Sequence, residues 1–255
     1  MKVLINMVFA DLKHRSKDGF VIGYNIIFPI IMILLMGYLT SANYGKDFTG
    51  YQYYTVVMLT FCVAMSIITA AYAGKDDADK KTAVRLLFAP VTKVQIVLTK
   101  IISCTIIISF CNLLVLVFAK LVLQLPVAFE IIPVFLLLVA ETFVICAIGL
   151  FIGFGMRNFI VIKNILNIPI LVAAVLAGAF YPIGTLSTGW GLVLRLSPLT
   201  WINRGIFLFV YDHASDLLWR TSLVLILVGI GFTILAIGLF KKEEFIHGAL
   251  PGYEK

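Results

Sequence analysis

Charged side chains are scarce in this chain of 255 residues: Asp, Glu, Lys and Arg together supply 13%, about half the share found in a soluble domain. Hydrophobic types reach 62%, against about 45–50% in soluble proteins, and the mean hydropathy is +1.07. One core cannot hide that excess, because a globule of this length still needs a polar coat. The shortage of charge excludes a soluble enzyme, a nucleic-acid binder and a disordered scaffold. It leaves an integral membrane protein.

Catalytic and metal-binding motifs are missing too. The four cysteines, Cys62, Cys104, Cys111 and Cys146, all lie inside apolar runs, without C-x-x-C spacing and without a neighbouring histidine. They read as small core side chains rather than as metal ligands or disulfide partners. His14, His213 and His247 fall at loops or ends, and neither H-E-x-x-H nor G-x-S-x-G occurs, so no metal site or nucleophile of a membrane enzyme is visible. A Walker A loop needs Gly-x4-Gly-Lys-Ser/Thr to cradle phosphates. Gly45-Lys46 and Gly74-Lys75 are each followed by Asp, which would repel them. No cleavable leader is expected, since Lys13-His14-Arg15-Ser16-Lys17 stands where a small-residue cleavage site belongs.

Long apolar runs are what the chain does have. A spanning helix needs about 20 apolar residues, and Val21–Thr40, Tyr54–Ala73, Ile101–Leu123, Ile131–Gly155, Ile165–Tyr181 and Leu217–Phe240 meet that need. Trp190–Tyr211 is also apolar but holds Arg195, Arg204 and Asn203, with Pro198 at its middle. Charges at the bilayer centre cost about 2.5–3.5 kcal/mol each, so this stretch is expected to be two short helices that dip into the outer interface and return.

The basic residues sort the loops. With six spans and an inner N-terminus, 15 of the 20 Lys and Arg lie inside, and Lys46, Lys120, Arg195, Arg204 and Arg220 lie outside. A seventh span would move Lys241 and Lys242 outside, against the positive-inside rule. Both termini are therefore expected in the cytoplasm of a multi-pass cell-membrane protein. Ahead of the first span, Leu4, Ile5, Val8 and Leu12 recur at helical spacing opposite Lys2, Asn6 and Lys13. Residues 1–17 thus predict an amphipathic helix on the inner membrane surface.

The inner loop 74–93 has a charged turn, then a short helical stretch over Thr82–Ala89 that Pro90 stops. Thr92 has Gln95 three residues on, a capping box at the mouth of the third span. Elsewhere, Glu141 is the one carboxylate well inside a span. It is either a functional group or a protonated or hydrogen-bonded packing residue. Ala173, Ala174, Ala177 and Gly178 on span five, and Gly149-x3-Gly153 on span four, form small-residue faces that let helices approach closely. Packing within the chain is the simpler account of them. Tyr51, Tyr53, Tyr54, Tyr181, Trp190 and Trp201 fit an outer aromatic belt.

Basic residues followed by Arg85-Leu86-Leu87, two residues, and Pro90-Val91-Thr92-Lys93 resemble the inner loop of ABC type-2 exporter permeases. Gly178-Ala179-Phe180-Tyr181-Pro182-Ile183 and Ser197-Pro198-Leu199-Thr200-Trp201 are similar to that family's outer segment after span five. Two positions depart from the family pattern: Leu186-Ser187 stands where Leu-Pro is usual, and Ser197 where Asn is usual. The resemblance implies an all-α permease domain over 1–255, with six spans and a re-entrant outer helical pair at 182–213. It implies that Thr82, Arg85, Leu86, Leu87, Phe88 and Pro90 form a coupling helix against a separate cytoplasmic ATPase subunit, which carries ATP and Mg. It also implies a second permease copy, identical or a close paralogue, with spans one and five meeting across the dimer axis and lining the path. The cargo expected is amphipathic (a peptide, lipid or hydrophobic drug), and lipid-linked polysaccharide is exported by related permeases. An ion-coupled secondary transporter or channel is the alternative. Those show several midplane ionisable groups or repeated broken helices, and here there is Glu141 and no evident repeat.

Overall fold

The structure is a computed structural model that describes residues 2–45, 49–79, 91–123, 125, 130–155, 159–180 and 197–240. Among these residues every regular element is helical. Helix α1 covers Lys2–Arg15, and α2 covers Gly19–Leu39, the first long apolar helix. Gly50–Met65 (α3) and Ile67–Asp79 (α4) follow, joined at Ser66 into one apolar rod over Gly50–Gly74. Then come α5 (Lys93–Val122), α6 (Ile131–Gly155), α7 (Phe159–Leu176), α8 (Pro198–Asp212) and α9 (Asp216–Leu239).

Five of these rods are long and apolar enough to cross a membrane: Gly19–Leu39, Gly50–Gly74, α5, α6 and α9. The expected span at Ile165–Tyr181 falls on α7, whose apolar part, Asn164–Leu176, is shorter than the other five. Burial divides the rods unequally. Of the most apolar window of Gly50–Gly74, 89% is buried, against 22% for Gly19–Leu39 and for α9. The rod formed by α3 and α4 is therefore the middle of the bundle, and α2 and α9 lie at its edges.

Two local chemistries explain the winding. Pro29 has no N–H to give and its ring crowds the preceding turn. The chain meets this with a π turn at Gly23–Ile27, closed by the Phe28 N–H to the Gly23 carbonyl. Asn25 in that turn is buried and donates from Nδ2 to the Val21 carbonyl at 2.8 Å. In α6, Gly149 and Gly153 sit directly on α4. A Cβ on Gly149 would lie 2.7 Å from Ala70 Cβ, and one on Gly153 would lie 2.5 Å from the Ala71 carbonyl oxygen. The small-residue pair of span four is used to bring two backbones of the same chain together.

One sequence expectation needs correction. Tyr54 is fully buried in the main core and is no part of an outer belt. On α1 the face against the protein holds Leu4, Met7, Val8, Asp11, Leu12 and Arg15, whereas Ile5 is 54% exposed and Phe9 73%. Of the expected stripe, Leu4, Val8 and Leu12 turn to the protein, where Asp11 and Arg15 join them, and Ile5 turns outward with Phe9. Within Trp190–Tyr211 a helix begins at Pro198, which occupies the first turn of α8, where a missing N–H is no loss. The preceding part of the outer segment lies outside the described residues.

Candidate functional site

Residues 80–90, with Thr82, Arg85, Leu86, Leu87, Phe88 and Pro90, lie outside the described residues. Their two flanks do not. On the near side α4 runs to Asp79. On the far side Thr92 caps α5 as its sequence predicts: its side chain accepts from the Gln95 N–H, and the Gln95 Oε1 accepts from the Thr92 N–H at 2.9 Å. Val91 packs against a cluster formed by Ile96, Val97, Ile101, Leu150 and Phe240, and Met7 of α1 packs on the same cluster. The residue that follows Pro90 is thus seated on a floor shared by α1, α5, α6 and the end of α9.

One turn deeper, α1 and α5 meet through charge. Asp11 accepts from Arg15 Nε at 2.7 Å on one oxygen and from Lys100 Nζ at 2.9 Å on the other. Ser103 Oγ donates to the oxygen that Arg15 holds. Side-chain exposures are 14% for Asp11, 9% for Arg15 and 7% for Lys100. Burial pushes the Asp11 carboxyl up. Arg15, Lys100 and the Ser103 hydrogen bond outweigh it and hold the group at about 2, below its ordinary 3.8. No local signal in the sequence links Asp11 to partners 89 and 92 residues away.

Glu141 lies at mid-length in α6 and is 1% exposed, with neither carboxylate oxygen hydrogen-bonded. Its neighbour Thr142 is the better satisfied residue, donating to the Leu138 carbonyl at 2.7 Å and accepting from Asn112 Nδ2 at 3.3 Å. Of the two packing accounts, the hydrogen-bonded one is not what the geometry holds.

The other end of the bundle gathers the small residues of α7. Gly178 adopts a φ of 81°, a left-handed cap that ends the helix and suits glycine. Its carbonyl accepts from Tyr53 Oη at 3.2 Å, and the Ala177 carbonyl accepts from Asn203 Nδ2 at 3.1 Å. Asn203 Oδ1 accepts from Thr60 Oγ1 at 2.6 Å, and the Ala173 carbonyl accepts from Ser197 Oγ at 2.8 Å. Ala173, Ala174, Ala177 and Gly178 are therefore held from two sides by α3 and α8. Beside them a cavity of about 350 Å³ is lined by Tyr53, Asn203, Arg204, Phe207 and Tyr211 among others. Tyr53 and Phe207 stack at 5.4 Å. A second capping box, Thr49 with Gln52, opens α3 at this end. The same rule that reads Thr92-x-x-Gln95 in the sequence reads Thr49-x-x-Gln52.

Comparison with curated proteins returns no match for the chain. A family model described as ABC-2 type transporter matches residues 4–211, a stretch that starts in α1 and ends in α8. The multi-pass helical bundle fits that description, and the match covers most of the chain, so this protein belongs to the ABC-2 type transporter family and is a membrane permease of an ABC transporter.

Proposed function

We propose that this permease is the membrane half of an ATP-driven exporter, working as a dimer with separate ATPase subunits that bind ATP and Mg. The chain itself does no hydrolysis in this reading. The observation that carries it is the family match over residues 4–211. In the proposed topology α7 is the additional span, both termini are cytoplasmic, and α8 is the second helix of the re-entrant outer pair. Exposed apolar side chains on α2 and α7, among them Ile31, Leu35, Ile168 and Val175, support a second copy as their cover, with lipid on the remainder. Ala173, Ala174, Ala177 and Gly178 then shape the outer end of the path. The apolar character of these faces suits an amphipathic cargo: a peptide, a lipid or a hydrophobic drug.

Thr82, Arg85, Leu86, Leu87, Phe88 and Pro90 are proposed as the contact with the ATPase subunit. The capped start of α5 supports this role, because a push delivered just before Val91 meets a fixed helix end rather than slack chain. Arg85→Glu replaces attraction to an acidic surface by repulsion, and it should lower recovery of the ATPase subunit with the permease and its stimulated ATP turnover. Lys46→Glu makes the same charge change elsewhere and should leave both intact. Normal assembly and turnover in Arg85→Glu, and also after Leu86→Asp with Leu87→Asp, would remove this loop from the mechanism.

A second reading has one observation in its favour: the buried Glu141, with both oxygens unbonded, is the kind of group an ion-coupled transporter uses. Transport that follows a proton or sodium gradient without ATP would support it.

A further inference from the structure

We propose that Asp11 is a positioning residue: it locks α1 to the start of α5 in one register, so that the N-terminal helix and the end of the coupling segment move as one body. This rests on the exporter reading only for its consequence, and on geometry for the lock itself.

Three features carry the proposal. The first is the cost of the cluster. Asp11, Arg15 and Lys100 are all nearly withdrawn from water, and taking charges out of water is expensive enough that a buried ion pair is weak support for stability alone. A plain apolar contact between α1 and α5 would hold the helices together more simply. What the charges add is register, the best attested use of buried polar groups. Both oxygens of Asp11 are occupied, and two of its three donors belong to α5. Sliding α1 by one turn would carry the carboxylate about 5 Å along the axis and strip Lys100 and Ser103 of this partner.

The second feature is what lies on either side of the lock. Towards the coupling segment, Val91 and Met7 share one apolar floor, and the Thr92 cap closes the end of α5. The lock therefore sits two helical turns from the capped start of α5. The third feature is the far end of α1. The chain leaves α1 through hydrogen bonds from the Lys17 N–H to His14 and from the Asp18 N–H to Arg15. It enters α2 under the Asp18 side chain, which accepts from the Phe20 N–H at 3.0 Å. The bonded path runs without a gap from Thr92, through Lys100 and Asp11, to the first span.

The test uses the full chain, purified with its ATPase subunit and reconstituted in lipid discs. Spin labels are placed at Phe9→Cys and Val94→Cys, both exposed positions outside the cluster. Without nucleotide, the parent should give one narrow label distance. Asp11→Asn should broaden it, and Ser103→Ala should broaden it less. On adding ATP and Mg the parent distance should stay unchanged, since the two helices move together, while in Asp11→Asn it should shift. The milder Ser103→Ala keeps the question answerable if Asp11→Asn fails to fold. A distance as narrow in Asp11→Asn and Ser103→Ala as in the parent, or a parent distance that itself shifts with nucleotide, would overturn the lock. If the ATPase subunit does not bind at all, the exporter reading fails, yet the nucleotide-free arm still decides on the lock.

Discussion

The packing of α6 on α4 invites a substitution whose sign is set by the geometry. A Cβ built on Gly153 lies 2.5 Å from the Ala71 carbonyl oxygen and 3.2 Å from the Ala71 carbonyl carbon and Cα. All three atoms are backbone, so no rotamer change relieves the contact. Real Cβ atoms essentially never come closer than 3.0 Å, and Gly153→Ala must part the two helices by at least the difference. Overpacking of this kind costs about 1–3 kcal/mol. Gly231 in α9 is the opposite case, with nothing within 4 Å of its added Cβ. There, Gly→Ala removes chain entropy from the unfolded state and should stabilise by about 0.5–1 kcal/mol. Gly149→Ala should resemble Gly153→Ala, and Ala70→Gly should rescue it only in part. That second change removes one obstacle at 2.7 Å and leaves the Ile67 carbonyl oxygen at 2.8 Å. Thermal unfolding in mild detergent, read by the fraction that stays monodisperse on gel filtration, separates the variants. Gly153→Ala melting at or above Gly231→Ala would refute the close approach of the two backbones.

Two further expectations follow from the titratable groups. Asp11 sits at about 2 in the folded chain against 3.8 free, so its contribution is complete above pH 3.8 and is lost as pH falls through about 2. That shift corresponds to about 2 kcal/mol. Asp11→Asn should cost at least that much stability, by an amount that stays constant between neutral and mildly acid pH, and a gap that closes well above pH 4 in thermal melts would contradict the assignment. Glu141→Gln keeps the shape of a side chain whose two oxygens have no hydrogen-bond partner, so folding, ATPase assembly and ATP turnover should survive. Complete loss of turnover in an assembled complex would move Glu141 into the mechanism.

Local rules reached the elements of this fold better than the contacts between them. Thr92-x-x-Gln95 stated where α5 begins, because a capping box is closed by residues three apart. Gly149-x3-Gly153 announced a close helix contact, because only small residues permit one. Asp11 could not be read this way. Helical periodicity counts a carboxylate as an interruption, and its partners Lys100 and Ser103 come near only once α1 has folded back on α5. Tyr54 escapes local rules for a related reason: three nearby tyrosines look like a belt, and only tertiary packing of other helices around the middle rod buries one of them. The small residues of α7 were legible as a close-packing face. That Gly178 also ends the helix, and that Asn203 and Tyr53 bind the carbonyls there, depends on how α8 and α3 pack, which no spacing rule supplies.

The π turn at Gly23–Ile27 has a consequence for insertions and deletions. A π turn accommodates one residue more than an α turn does, so removing a residue from this segment would let it rewind as ordinary helix. Because the extra residue is taken up within that one turn, closing it to an α turn leaves the helix before it nearly in phase. Phe20 would keep its side, and Asp11 would still face Lys100. The same deletion in the ordinary helix that follows would rotate everything before it by about 100° about the axis and turn Asp11 away from Lys100. A single-codon deletion is therefore absorbed at the π turn and felt at the elbow when it falls beyond it.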